Sequence, residues 1–105
     1  MTSEDLRNCL FECNTNLIKN VVQKIYKDYK KYPERFVNNV ELLENAYDVS
    51  ISDKINGNQK GLLVQCIMVY KNMYSYRYKD IFKRDISEYN IEEFLGFVLS
   101  TEEYS

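Results

Sequence analysis

The chain has 105 residues, of which 29% are charged, and its formal net charge at pH 7 is −2. That length supports one domain with one modest hydrophobic core. The nearly neutral balance excludes a strongly basic protein that binds nucleic acid over its whole surface, and it excludes a chain kept disordered by self-repulsion. The central apolar run, residues 61–74, is too short and too interrupted to span a bilayer, so we expect no membrane partner.

The cysteines indicate a reducing compartment. Cys9, Cys13 and Cys66 make an odd number, and the first two are four residues apart in a helical stretch, where the geometry does not suit a disulfide. The opening residues, MTSEDLRN, contain no apolar signal core. We therefore expect an intracellular protein, located in the cytoplasm.

The usual catalytic and metal-binding sets are absent from the sequence. It contains no histidine, which removes Ser-His-Asp and Cys-His nucleophiles and the commonest metal ligand. The three cysteines lack CxxC spacing, and the three glycines match neither the phosphate-binding loop nor the dinucleotide fingerprint. Adjacent carboxylates such as Glu92 and Glu93 do not face one site on a helix. We expect a non-enzymatic protein with no catalytic residue, no cofactor and no metal ion.

The first third of the chain has a helical pattern. Thr2 followed by Asp5 resembles a helix start. Apolar and aromatic residues then recur every three or four positions, and they predict helix as far as about Lys31: Leu6, Leu10, Cys13, Leu17, Val21, Ile25, Tyr29 and Tyr32. One continuous helix and two helices in line both fit this pattern, because the CNTN run at residues 13–16 has side chains that can cap a new start.

Pro33 predicts the start of a second helix, since proline suits the first helical position and cannot continue a preceding helix. We expect this helix to end near Ala46 or Tyr47. Its predicted buried row is Phe36, Val40, Leu43 and Tyr47.

The helical spacing of apolar residues ends at residues 48–58, where apolar and polar residues alternate and the Asn56-Gly57 pair is typical of a turn. A short β-like hairpin fits the alternation, but no partner strand is evident. We therefore predict an irregular loop that tucks three side chains against the core: Val49, Ile51 and Ile55.

The central helix is predicted over residues 59–84, with Asn58 as its cap. It has two adjacent apolar rows at helical spacing: Leu62, Cys66, Val69 and Met73, and Leu63, Ile67, Tyr70 and Tyr74. Two rows make a wide apolar surface, so we expect other helices to cover this one from more than one direction.

A final helix is predicted after Asn90, which forms a capping-box pattern with Glu93. Tyr89, before the cap, can pack on Phe94 as a hydrophobic staple. The predicted inward face consists of Phe94, Leu95, Val98 and Leu99.

Gly96 weakens this last helix relative to alanine, which indicates a close crossing with a neighbour. Residues 101–105 are expected to form a frayed tail. The predicted architecture is a single all-α domain over residues 1–105, a compact bundle of four or five helices around the long central helix.

Two basic stretches are candidate partner-binding surfaces. On the central helix, one row places an aromatic ring among polar and basic side chains: Asn72, Tyr76, Lys79 and Lys83. On the first helix, the other row is Lys24, Lys27 and Lys31, with tyrosines nearer the buried side. Tyrosine beside cations suits a protein interface, or stacking and phosphate contact with nucleic acid. The alternative interpretation of both rows is an ordinary solvent-exposed helix face without a binding role.

Residues 85–105 carry six acids and no base, which can either contact a basic partner or balance the lysines of the same domain. Within them, DISEYNIEEF at residues 85–94 resembles the capping run at the start of the small helical immunity proteins that neutralise colicin-type nucleases. Here the run lies near the opposite end, without the tyrosine pair and proline with which that family meets its nuclease. Capping chemistry accounts for the likeness, so no family and no family residues are assigned.

These observations favour a protein-interaction module, a small intracellular inhibitor or regulator that occupies the surface of another protein. Such a profile fits a phage, viral or mobile-element accessory protein. A nucleic-acid-binding regulator that uses the two basic rows is the first alternative. The second alternative is a self-associating structural subunit, because 14% aromatic residues is a high proportion for a domain of this size and favours exposed aromatic surface.

Overall fold

A computed structural model describes residues 3–74 and 91–100. Within these two ranges the chain forms five α-helices and no strand, which confirms the all-α prediction. The helices are α1 (Ser3–Glu12), α2 (Thr15–Lys31), α3 (Val40–Ser50), α4 (Gly57–Tyr74) and α5 (Ile91–Ser100), with a 3₁₀ turn (Pro33–Phe36) between α2 and α3.

The first helical stretch is broken in two at Asn14. Its Oδ1 accepts hydrogen bonds from the backbone N–H of Asn16 at 2.9 Å and of Leu17 at 3.3 Å, so the side chain satisfies two donors at the start of α2. A side chain from another helix caps the C-terminal end of α1, because the Lys60 ammonium of α4 donates to the carbonyl oxygen of Cys13 at 2.7 Å. The two-helix alternative is therefore the correct one.

The prediction that Pro33 starts an α-helix is wrong. Pro33–Phe36 forms one 3₁₀ turn, in which the Arg35 N–H donates to the Tyr32 carbonyl at 3.0 Å, and the next turn is closed by the Asn39 N–H on the Phe36 carbonyl at 2.9 Å. The α-helical pattern resumes only at Val40, since the two asparagines before it favour turns over helix interiors. Phe36 and Leu43 are buried as predicted, but Val40 is 37% exposed and Tyr47 is only half-buried, so the predicted buried row is wrong at these two positions.

The predicted loop at residues 48–58 is shorter than expected, because α3 continues to Ser50. No strand forms among these residues. Val49 and Ile55 are half-buried against the core, but Ile51 is 57% exposed, so its predicted burial is wrong. The pattern failed at Ile51 because the chain there is still at the end of a helix, where its side chain lies on the outer side.

The cap of the central helix is Asn56, two residues earlier than predicted. Asn56 Oδ1 accepts from the Gln59 N–H, and Gln59 Oε1 accepts from the Asn56 N–H, both at 2.9 Å. This is a reciprocal capping box, with an amide pair in place of the usual Ser and Glu. Asn58 therefore lies inside α4, which is described as far as Tyr74; the predicted continuation to residue 84 lies outside the described residues.

The core is built around α4, as predicted. From residue 59 to residue 71 no side chain of this helix is exposed, and α1, α2 and α3 all pack against it. Its fully enclosed members are Leu63, Val64, Cys66, Ile67 and Tyr70. One cluster of buried residues joins all five α-helices and the 3₁₀ turn.

The last helix packs against α2 through Phe94, Leu95 and Val98. Leu99 is 36% exposed, so its predicted place on the inward face is wrong. Gly96 faces outward, and a Cβ atom at that position would meet nothing within 4 Å, so the predicted close crossing is wrong. The predicted cap at Asn90, its staple and the frayed tail lie outside the described residues.

Replacing Asn14 by alanine is expected to destabilise the fold by about 1 kcal/mol, because two amides at the start of α2 lose their acceptor. This corresponds to a fall of roughly 5 °C in thermal midpoint. Asn16→Ala is the matched control, because Asn16 is exposed and its side chain does not cap the helix. Equal midpoints for the two variants, measured by circular dichroism, would contradict the capping role.

The three thiols are expected to differ in reactivity. Burial raises the pKa of the Cys66 thiol to about 12, so almost no thiolate, the reactive form, is present near neutral pH. Cys9 and Cys13 are only half-buried. Mass spectrometry after iodoacetamide treatment at about pH 8 should find Cys66 unmodified until urea unfolds the chain. Alkylation of Cys66 in the native protein as fast as of Cys9 would show that this part of the core opens readily.

Candidate partner-binding surface

Helices α2 and α3 lie antiparallel along a seam of polar contacts. At one end, the Lys19 ammonium donates to the Ser52 carbonyl at 3.0 Å and the Gln23 side-chain amide donates to the Ser50 carbonyl at 3.1 Å. These donors satisfy carbonyl groups at the C-terminal end of α3, which have no partner inside their own helix. The seam is therefore fixed in register by side chains of α2.

The middle of the seam is aromatic. The rings of Tyr26 and Tyr47 stack with centroids 4.0 Å apart and planes 14° from parallel. The Tyr26 hydroxyl donates to Glu44 at 2.9 Å, and the Lys30 ammonium lies 3.5 Å from the other oxygen of that carboxylate. Each of these side chains is held by at least one other, so the cluster is ordered before any partner arrives.

The cluster also sets the ionisation of its members. The hydrogen bond with Tyr26, together with the charge of Glu44, raises the pKa of the Lys30 ammonium above its ordinary value. Partial desolvation, aided by Glu44, raises the pKa of the Tyr26 phenol. At neutral pH the cluster therefore contains a cation, an anion and a neutral hydroxyl.

The outer side of the two helices separates charge by sign. We call the exposed lysines of α2 the basic edge: Lys27, Lys30 and Lys31. We call the three acids of α3 the acidic edge: Glu41, Glu44 and Asp48. Helix α3 contains no basic residue, and the one acid of α2, Asp28, is buried. Together with Tyr26, Tyr47, Val40 and Ile51, these two edges make up what we call the α2–α3 face.

The predicted lysine row on α2 is divided by the structure. Lys27 and Lys31 are exposed, whereas the ammonium of Lys24 lies 3.0 and 3.2 Å from the two carboxylate oxygens of Asp28. The Lys24 side chain is only 19% exposed, and Asp28 also accepts from the Tyr70 hydroxyl of α4 at 3.3 Å. Lys24 therefore neutralises a buried acid of the fold, and Lys27 and Lys31 remain candidates for binding.

A contact between two cations and an aromatic ring lies just beyond α2. The Arg35 guanidinium is 4.6 Å from the centroid of the Tyr32 ring, and the Lys31 ammonium is 5.5 Å from it. Tyr32 is half-buried and precedes the 3₁₀ turn. Cations near aromatic rings are attracted to their faces, so this cluster extends the basic edge toward Arg35.

The second predicted row is placed only in part. Asn72 is exposed on α4, and Tyr76, Lys79 and Lys83 lie outside the described residues, so their meeting with the α2 lysines stays a prediction. Sequence reasoning missed the α3 half of the surface. The sequence feature that could have identified it is the spacing of Glu41, Glu44 and Asp48. This spacing places three acids on one side of a helix that contains no basic residue.

A groove of about 600 Å³ lies elsewhere, between α1 and the first turns of α4. Its walls include Phe11, Gly61 and Leu62, and the Arg7 guanidinium reaches across to Gln65 at 3.4 Å. The groove is shallow and open, with few convergent polar groups, so it lacks the enclosure of a small-molecule site.

Among the residues that the structure describes, no group of three or more histidines, cysteines or acids is placed to hold a metal ion. None of the helices within those ranges has the length and apolar character needed to cross a membrane. No protein-family model, no curated protein and no solved structure matches this chain.

Proposed function

We propose that this chain is a non-enzymatic protein-interaction module, a small regulator or inhibitor that covers part of another protein's surface with its α2–α3 face. The observation that supports this most directly is the stacked pair of Tyr26 and Tyr47, held by Glu44 and Lys30. Two exposed apolar residues flank the pair: Val40, the first residue of α3, and Ile51, the residue that follows its end.

Such an arrangement has the features of a protein interface. Tyrosine is enriched in interfaces because it offers a large apolar area and a polar tip at a low cost in conformational entropy. Here much of that cost is met within the free chain, since Tyr26 and Tyr47 already contact each other and Glu44. Charged residues surround the apolar centre, as they do at the rim of known interfaces.

Nucleic-acid binding, the first alternative, has weaker support from this geometry. A phosphate backbone drawn to Lys27 and Lys31 would pass close to the acidic edge on the neighbouring helix. Tyr47 covers one face of the Tyr26 ring, which reduces the aromatic surface on which a base could stack.

The proposal is tested by removing exposed apolar contacts from the face. Val40→Ser combined with Ile51→Ser is expected to leave the fold nearly unchanged, because both side chains are exposed, and to reduce partner binding by about tenfold or more. The measurement is affinity capture with the tagged chain from cells that naturally contain it, quantified by mass spectrometry against the wild type.

Leu99→Ser is the control, because Leu99 is a similarly exposed apolar residue on α5, outside the face. It should retain every captured protein. If the double variant captures as much of each protein as the wild type does, and its thermal midpoint is unchanged, the α2–α3 face is not the binding surface.

The nucleic-acid alternative is tested by a separate binding measurement. We expect fluorescence anisotropy to detect no binding of labelled duplex or single-stranded DNA or RNA at a low salt concentration of about 50 mM. Binding that weakens steeply with salt, and that Lys27→Glu with Lys31→Glu removes, would instead favour that alternative. The pair Arg7→Glu and Lys54→Glu, which makes the same change in net charge at exposed cations outside the two basic rows, controls for a general effect of net charge.

A further inference from the structure

The α2–α3 face is complementary to itself. Its basic edge and its acidic edge each have three charged side chains, and they run side by side on two antiparallel helices. Between and beside them lie aromatic and apolar side chains: Tyr26, Tyr47, Val40 and Ile51. A surface with this pattern has its charge complement in another copy of itself, which is the condition for an isologous contact.

We propose that the α2–α3 face also binds a second copy of this chain, across a twofold axis that runs parallel to α2 and α3. The inference rests on the proposed function only in that both assign protein binding to this face. It adds a second occupant of the face, a copy of this chain, and the relative orientation of the two copies.

The charge pattern selects this axis among the twofold axes that bring two such faces together. An axis in the plane of the face and parallel to the helices places α2 of one copy over α3 of the other, so each basic edge meets an acidic edge. An axis in that plane but perpendicular to the helices places α2 over α2, so lysines would face lysines. Like charges in an interface are unfavourable, which excludes the second arrangement.

The register along the helices also fits. Lys30 and Glu44 contact each other within one chain, which marks a common height on α2 and α3. With a rise of ~1.5 Å per residue, Lys27 lies ~4.5 Å and Asp48 ~6 Å from that level on one side. Lys31 lies ~1.5 Å and Glu41 ~4.5 Å from it on the other side. A parallel twofold axis preserves height, so Lys27 meets Asp48 of the second copy and Lys31 meets Glu41.

The proposed contact also covers apolar side chains that are exposed in the single chain. Val40 and Ile51 are 37% and 57% exposed in the single chain, and they lie on the same side of α3 as Tyr47. In the paired arrangement they cover the basic helix of the other copy, whose lysine stems are themselves apolar. Because α3 is only about 16 Å long, the interface is small, and we expect a dissociation constant on the order of 10 µM.

The first measurement is sedimentation equilibrium of the purified chain from about 5 µM to about 500 µM, concentrations that bracket the expected dissociation constant. The apparent mass should rise from that of the 12.6 kDa chain toward twice that value. A constant monomer mass across this range, or association that the charge reversals below leave unchanged, would overturn the inference.

Charge reversal tests whether opposite charges on the two edges hold the dimer together. Lys27→Glu with Lys31→Glu gives a chain with two acidic edges, and Glu41→Lys with Asp48→Lys gives a chain with two basic edges. Each variant alone should associate at least about tenfold more weakly than the wild type, because both edges of its face then repel those of a second copy. An equimolar mixture of the two variants should recover the dimer, since every acidic edge again meets a basic edge.

Glu4→Lys with Glu12→Lys on α1 is the control for the variant with two basic edges, because it makes the same change in net charge outside the face. Arg7→Glu with Lys54→Glu, at two exposed cations outside the face, is the control for the variant with two acidic edges. Both controls should dimerise as the wild type does. Circular dichroism confirms that each variant is folded. Failure of the mixture to restore a dimer would rule out the proposed orientation. If the wild type is monomeric and the variant with Val40→Ser and Ile51→Ser loses a captured protein, self-pairing is overturned and the proposed function stands. If the wild type forms a charge-dependent dimer and captures no other protein, the proposed function is overturned and self-pairing stands.

Discussion

The structure depends on the enclosure of one helix. Along residues 59–71 every side chain of α4 is at least partly covered, and an α-helix can be covered in this way only by neighbours on several sides. The neighbours are α1, α2 and α3, each with its apolar stripe turned toward α4, and α5 packs against α2. Because these stripes face inward, the polar and aromatic residues of α2 and α3 are brought together on the outside. The candidate binding surface is a consequence of how the core is closed.

Side chains from distant helices close the helix ends, and this fixes where the helices lie. Lys60 of α4 caps the end of α1, and Lys19 and Gln23 of α2 hold the carbonyl groups at the end of α3. Each contact satisfies a backbone acceptor that its own helix cannot satisfy. Each also joins two elements that are far apart in the sequence, so helix termination and helix packing are stabilised by the same interactions.

Periodicity in the sequence was sufficient to predict the fold class and the helix at the centre of the core, because a wide apolar surface has few other uses in a domain of this length. It was not sufficient for positions where a local contact decides the geometry. Asn56 caps α4 in place of Asn58 because its amide pairs with Gln59, and two asparagines after Pro33 delay the next helix until Val40. These choices depend on which of several similar side chains reaches a backbone group, and sequence spacing does not distinguish between them.

The same limit applies to the surface. Lys24 and Lys27 look alike in the sequence, but Lys24 neutralises Asp28 in the interior, and only Lys27 projects into solvent. Since Asp28 is the one acid of α2 and is buried, no negative charge remains on the outer side of that helix. The acids of α3 have no base of their own helix to neutralise them, and Lys30 reaches only Glu44. The separation of charge that makes the α2–α3 face self-complementary therefore follows from the burial of Asp28, an interaction whose primary effect is to stabilise the core.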